Sequence, residues 1–257
     1  MNIGTMQFAS AALGRHVTYT VLLPERAAGP GSFPVLYQLH GASDDHTAWV
    51  RLSNLVRHVA ALPLIVVLPD GGLGFWLNRG PRERYEDFVI EDLAAHVAAT
   101  FPARPGPCAI GGLSMGGFGA VYLGLRHPDR FASVWSHSGA FRAQAELLAG
   151  GWPEELAAEA SIEALAERAD PARAPALGID CGVDDSLLPG SRRLHRRLSE
   201  RSVPHTYREH PGAHTWAYWD AHVVEALEQH ARVLGCGPAA EPVTRETNTS
   251  PGKGARR

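Results

Sequence analysis

Residues 107–117 read Pro-Cys-Ala-Ile-Gly-Gly-Leu-Ser-Met-Gly-Gly, and residues 118–127 continue as Phe-Gly-Ala-Val-Tyr-Leu-Gly-Leu-Arg-His. A short apolar run thus ends in Gly-x-Ser-x-Gly and opens directly into a helical pattern. Gly112 and Gly116 stand two residues before and two residues after Ser114. A sharp strand-to-helix turn needs glycine at both places, because the backbones it joins come too close for side chains. Such a turn holds the central serine in a strained conformation and lifts its hydroxyl above the edge of a sheet. The helix N-terminus behind it favours developing negative charge. The stretch therefore predicts a nucleophile elbow at Ser114, and with it a strand at 107–113 in a sheet flanked by helices.

Outward from the elbow, short apolar runs alternate with longer amphipathic ones. Strands are predicted at 17–23, 34–40, 63–69, 107–113, 131–136, 176–182 and 204–209, with the N-terminal residues supplying a further strand or two. Val-Leu-Tyr-Gln-Leu-His and Leu-Ile-Val-Val-Leu-Pro are almost continuously apolar, as strands covered on both faces must be. Residues 85–100 carry Tyr85, Phe88, Val89, Leu93 and Val97 at helical spacing, with Glu86, Asp87, Glu91 and Asp92 off that stripe. Trp216, Trp219, Val223 and Leu227 mark a closing helix. The alternation predicts an α/β fold, a mostly parallel sheet with an antiparallel start and helices on both faces. Residues 1–236 form one domain in this reading. The Ala/Glu-rich stretch 141–174 is longer than a crossover needs, and two readings stand: a cap over the site or a longer surface crossover. The polar, Pro/Gly-rich stretch 237–257 is expected to be disordered.

A serine hydroxyl needs a base within hydrogen-bond reach. Of 13 histidines, His214 follows a strand and a Pro-Gly turn and precedes the last helix, a loop at the C-terminal edge of the sheet. His195, His222 and His230 fall within helical patterns, and His205 and His210 bracket a strand. The acid that orients the imidazole is expected between Ser114 and His214, in the Ser…acid…His order of this elbow class. Strand 176–182 runs out into Asp184 and Asp185, and residue reading alone leaves both open. Two backbone amides must face the oxyanion. One belongs to Met115, after the nucleophile. The other is assigned to Ala42, in the loop that follows strand 34–40, where Gly41 permits a tight turn. His40, Trp76, Phe141 and Trp216 are candidates to line a substrate pocket. His46 beside Asp44 and Asp45 offers metal-ligand atoms, but no distant partner motif completes a set, so neither a metal nor a cofactor is expected.

The chain has 257 residues with 24 Lys+Arg against 27 Asp+Glu, a net charge of −3. That balance leaves no electrostatic footprint for nucleic acid or an anionic membrane. The arginines at 192, 193, 196, 197 and 201 surround Leu194 and Leu198 and read as a solvated helix face. No run approaches the ~18 apolar residues of a membrane span. The N-terminus lacks the pattern of a secretory leader, and Cys108, Cys181 and Cys236 are odd in number and scattered. The expected address is the cytoplasm and the expected partner a small molecule, with homo-oligomerisation left open.

Seven blocks occur in order: HGASDDHTAW at 40–49, LPDGG at 68–72, YEDFVIEDL at 85–93, GGLSMGGFGA at 111–120, HPDRF at 127–131, CGVDD at 181–185 and PGAHTWAYW at 211–219. The series resembles the esterase D-type group of α/β-hydrolases. That group comprises tributyrin-type, feruloyl and acetyl esterases, S-formylglutathione hydrolases and mycolyltransferases. The resemblance covers roughly residues 15–235. It implies an α/β-hydrolase fold and a serine carboxylesterase acting on short-chain or aryl esters, with Ser114, Asp185 and His214 at the triad positions and Ala42 and Met115 at the oxyanion hole. Asp185 is preferred over Asp184 because related hydrolases tend to carry the acid three residues after the glycine that ends this strand. Where this chain has Ala42-Ser43-Asp44, S-formylglutathione hydrolases usually carry a Cys-Thr-Glu-type segment, so tributyrin-type carboxylesterases are the nearer likeness. The alternatives are a thioesterase or acyltransferase on the same scaffold, or an idle binding module.

Overall fold

Strands whose alternate side chains are all apolar can bury both faces, and this chain builds its centre from them. Val35, Tyr37 and Leu39 enter one hydrophobic core while Leu36 enters a second; likewise Ile65 and Val67 face the first and Val66 and Leu68 the other. The computed structural model, which describes residues 1–25 and 32–237, resolves this into one eight-stranded sheet. The strands are β1 Asn2–Ser10, β2 Arg15–Leu23, β3 Val35–Leu39, β4 Ile65–Pro69, β5 Cys108–Leu113, β6 Phe131–His137, β7 Ala176–Gly182 and β8 His205–His210, in the order β1-β2-β4-β3-β5-β6-β7-β8. β2 pairs antiparallel with β1 and β4, and the rest of the sheet is parallel. The predicted expectation for the tail at 237–257 falls, beyond Gly237, outside the described residues.

Helix Met115–Arg126 is buried from Met115 to Leu125. The helices Ala48–Leu52, Leu55–Val59 and Trp216–Val233 cover the opposite face. Parallel β3, β5, β6, β7 and β8 all point their C-terminal ends the same way, so the loops after them converge on one edge. Ligands of open α/β sheets bind at that edge.

One expectation needs correction. Glu86, read as lying off the buried stripe, is itself buried. Residues Phe88–Leu93 form a π-helical turn, which changes the helical register, and Glu86 has partners inside: Arg126 Nε at 2.7 Å, His127 Nε2 at 2.7 Å and the Tyr122 hydroxyl at 3.0 Å. Burial alone would raise its pKa; those donors hold it below the ordinary carboxylate value. Of the two readings left open for 141–174, the packing agrees with the longer crossover. Its helices Gln144–Ala149, Glu154–Ala160 and Ile162–Arg168 put Leu147, Ile162 and Leu165 into the main core, and the last of them packs on Met115–Arg126 and Leu188–Glu200.

His230 shows what full burial does to an imidazole. Its Nδ1 lies 2.8 Å from Ser133 Oγ, and burial, with His137 nearby, pushes its pKa down to about 3. An unfolded histidine takes up its proton near ~6.5. The folded value lies below the unfolded one, so stability is full above ~6.5 and is lost as pH falls toward 3, at ~1.4 kcal/mol per pH unit. Urea unfolding at pH 7, 6 and 5 is expected to show this contribution as a difference in slope between wild type and His230→Leu; identical slopes would exclude it.

Candidate active site

The elbow forms as its glycines require. Ser114 sits at φ 54°, ψ −116°, a left-handed conformation that costs a non-glycine residue on the order of 1–3 kcal/mol. Its backbone is held by three hydrogen bonds: its N–H donates to the His137 carbonyl, and its own carbonyl accepts from the Phe118 and Ala140 amides. A Cβ at Gly112 would lie 2.5 Å from the Gly116 carbonyl oxygen, which is the strand-to-helix approach expected. A Cβ at Gly116 would lie 2.6 Å from the carbonyl oxygens of Leu39 and His40 instead. The second glycine thus serves contact with the end of β3, where the Gly41–Ala42 loop begins. Gly116→Ala is expected to cost about 2 kcal/mol through overpacking against rigid backbone and to lower turnover by displacing that loop. Urea midpoints and kcat check both effects.

His214 Nε2 lies 3.0 Å from Ser114 Oγ, and its Nδ1 lies 2.7 Å from Asp185 Oδ2. The three residues come from three loops at the C-terminal edge and meet although Ser114 and His214 are 100 positions apart. Of the two aspartates left open by residue reading, Asp185 is buried beside His214 and Asp184 is exposed. Burial would raise the Asp185 pKa, but hydrogen bonds from His214, the Leu187 amide and the Ser138 hydroxyl hold it below the ordinary carboxylate value. A carboxylate accepting from Nδ1–H leaves Nε2 as the acceptor facing Ser114.

Met115 follows Ser114 in the chain and Ala42 shares its cleft, and among the described residues neither amide donates to a backbone acceptor. Ala42 lines a cleft of about 230 Å³ together with Gly41, Asp44, Leu113, Ser114, His214, Thr215, Trp216 and Trp219. Of the four pocket candidates, only Trp216 is there. The side chain of His40 is 1% exposed: its Nδ1 donates to the Gly41 carbonyl at 2.7 Å and its Nε2 accepts from the Gly71 amide at 2.9 Å. It braces the Ala42 loop and does not reach the cleft. Trp76 is 0% exposed because its indole fills the space above Gly71 and Gly119, where a Cβ would fall 2.5 and 2.3 Å from the ring. Phe141 is 2% exposed and packs on Gly139 near Phe118. The residues 141–174 contribute none of the cleft's lining.

Several residues at the site escaped sequence reading. Trp219 stands edge-on to the His214 ring at 4.8 Å, and its Nε1 donates to Ser138 Oγ at 3.2 Å. Beneath them Asp180 lies fully buried, 2.6 Å from His137 Nδ1, accepting from Trp135 Nε1 at 2.5 Å and the Tyr218 hydroxyl at 2.8 Å. Despite burial, His137, Trp135 and Tyr218 hold its pKa low. A charged residue in the apolar run Leu-Gly-Ile-Asp-Cys-Gly was its one sequence signal. Asp44 also reaches the cleft, and burial raises its pKa. Its neighbours do not assemble a metal set: His46 Nδ1 bonds Thr20 Oγ1 at 2.8 Å, and Asp45 accepts from Thr47.

The family model for esterases matches residues 10–230. The chain belongs to the esterase family. Among curated relatives, an esterase of Mycobacterium tuberculosis H37Rv, Rv1288, is 30% identical over 254 residues, covering 82% of this chain and 55% of the relative; the chain thus spans about half that relative's length. An acetyl esterase of Caldicellulosiruptor saccharolyticus is 25% identical, with 91% of this chain and 99% of the relative covered. Among solved structures, the fluorophosphonate-binding serine hydrolase FphF of Staphylococcus aureus superposes with a TM-score of 0.80 at 25% identity, covering 91% of this chain and 98% of its own. The sheet order and these likenesses make the fold that of the α/β-hydrolases. Among the described residues of the chain, no helix is long and apolar enough to cross a membrane.

Proposed function

We propose that this esterase is a serine carboxylesterase that hydrolyses short-chain or aryl carboxylic esters through an acyl-enzyme. The observation that carries the reading is the relay of 3.0 Å from Ser114 Oγ to His214 Nε2 and 2.7 Å from Nδ1 to Asp185, with Ser114 on a strained elbow. His214 takes the hydroxyl proton as Oγ bonds to the ester carbonyl carbon, and Asp185 stabilises the imidazolium. The carbonyl oxygen becomes an oxyanion held by the Ala42 and Met115 amides. Collapse expels the alcohol, which receives the proton from Nε2, and a water then repeats the sequence to free the acid. The 230 Å³ cleft is below the usual range for drug-sized ligands, which supports a small acyl group. The free thiols of Cys108, Cys181 and Cys236 support a reducing compartment, the cytoplasm.

A p-nitrophenyl ester series from acetate to decanoate, with methyl ferulate and S-formylglutathione added, tests the reading. Highest kcat/KM is expected at acetate to butyrate, with covalent labelling at Ser114 by a fluorophosphonate. Neither labelling nor ester turnover would return the scaffold to a binding role, and product formed only on an added alcohol acceptor would make it a transferase.

A further inference from the structure

Asp44 brings the cleft its one carboxylate, and nothing pairs with it there. Its amide donates to the Gly41 carbonyl at 3.3 Å, a tight turn that folds the chain back over Gly41, and the same carbonyl accepts from His40 Nδ1. A Cβ at Gly41 would lie 3.6 Å from Asp44 Oδ2 and 3.4 Å from Ser114 Cβ. The carboxylate and the nucleophile are therefore neighbours across a single glycine. Arg51 and His40 attract the carboxylate electrostatically. Arg51 Nε, however, donates to Thr47 Oγ1 at 2.8 Å, and both ring nitrogens of His40 are engaged with backbone. Among the described residues Asp44 forms no ion pair, and its carboxylate accepts no hydrogen bond.

A carboxylate so placed works against the reaction of a neutral ester. Negative charge develops on the carbonyl oxygen as Ser114 attacks, and the Ala42 loop proposed to hold that charge carries Asp44 two residues on. Burial already raises the Asp44 pKa, because its negative charge has no full counter-charge. A positive charge on the substrate removes both penalties. The proton path says which half of the ester bears it. His214 returns its proton to the leaving oxygen, so the alcohol half lies on the His214 side, where Thr215 and Trp216 continue the cleft wall. Trp216 is half-buried and stands nearly perpendicular to Trp49 and Trp219, with ring centroids 5.2 and 5.4 Å away. A cation held by Asp44 in a cleft of about 230 Å³ stays beside the cleft's indoles, and tryptophan is the aromatic side chain that attracts ammonium groups best.

We propose that Asp44, with Trp216 and Trp219, selects esters whose alcohol half carries an ammonium group. The inference rests on the serine carboxylesterase reading above and narrows its substrate class. A short spacer between ester oxygen and nitrogen suits a carboxylate that stands one glycine away from the nucleophile. The acid product of such an ester is an anion, and the same carboxylate repels it from the cleft.

The test compares, on the full chain, the choline ester of acetic acid with its uncharged carbon isostere, in which a tert-butyl group replaces trimethylammonium. The cationic ester is expected to have a kcat/KM at least about tenfold higher, with the gap narrowing as NaCl is added. Asp44→Asn should bring the ratio close to one, lowering kcat/KM for the cationic ester and raising it for the neutral one. Trp216→Leu should narrow the ratio severalfold. Asp45 is exposed and accepts from Thr47, so Asp45→Asn should keep the wild-type ratio. A merely structural role for Asp44 would lower both esters alike and leave the ratio unchanged, which would overturn the proposal. Equal kcat/KM for the two esters in wild type, or an equal loss of the ratio in Asp45→Asn, would overturn it as well. Turnover of p-nitrophenyl acetate without this preference would leave the esterase reading standing and sink the selectivity alone. Absence of all ester turnover and of fluorophosphonate labelling would remove both.

Discussion

Ser114→Ala is expected to lower kcat on p-nitrophenyl acetate by about 10⁶-fold, the scale of nucleophile loss in serine hydrolases of this type. The fall follows from geometry. The Ala42 and Met115 amides, proposed above as the oxyanion donors, are untouched by the substitution, so residual turnover above the solution rate should persist through water attack. KM should change little, because the lost hydroxyl bonds His214 and contributes to the bond-making step, not to the walls formed by Trp216 and Trp219. The variant should also be at least as stable to urea only if its alanine tolerates φ 54° as serine does; both residues carry a Cβ, so no large change is expected. Turnover within tenfold of wild type would remove Ser114 from the mechanism.

Asp185→Asn is expected to lower kcat by about 10⁴-fold with the site geometry intact. Asparagine presents an amide that can donate to Nδ1, which leaves the proton on Nε2. His214 then faces Ser114 with a hydrogen where it needs a lone pair. The neighbouring Asp184→Asn is the internal control: its carboxylate is exposed and only its backbone is engaged, donating to the Gly212 carbonyl. That change should leave kcat within about twofold. Acid behaviour carries a second reading of the same residue. Because the folded-state pKa of Asp185 is held below the ordinary value, the carboxylate's stabilising contribution is present above that ordinary value and is lost as pH falls through the lowered one. Equal losses in the two asparagine variants, or none in either, would place the orienting acid elsewhere.

The elbow was legible because its constraint is local. Gly112, Ser114 and Gly116 lie within one turn of chain, and the backbone crowding that demands glycine there is set by the turn itself and by β3 beside it. The strands were legible for a similar reason: a segment buried on both faces must be apolar at nearly every position, and β3 and β4 are. The pocket aromatics were not. A tryptophan at 76 and a tryptophan at 216 carry the same apolar surface, and only the glycines opposite Trp76 decide that its ring goes inward. Glu86 was misread because a π turn shifts the face it occupies and because Arg126 and His127, forty residues later, supply its partners.

Order along the chain, periodicity and the glycine spacing were therefore enough to determine an α/β sheet with a serine raised at the end of β5 and a late histidine loop near the same edge. Tertiary structure alone decided which aspartate turns inward, which aromatic rings meet solvent, that Asp180 and His137 pair beneath the site, and that Asp44 turns back over Gly41 beside Ser114. The division has one cause. Backbone conformation is governed by neighbours in sequence, whereas the burial and partners of a long or charged side chain are set by residues that only folding brings within a few ångströms.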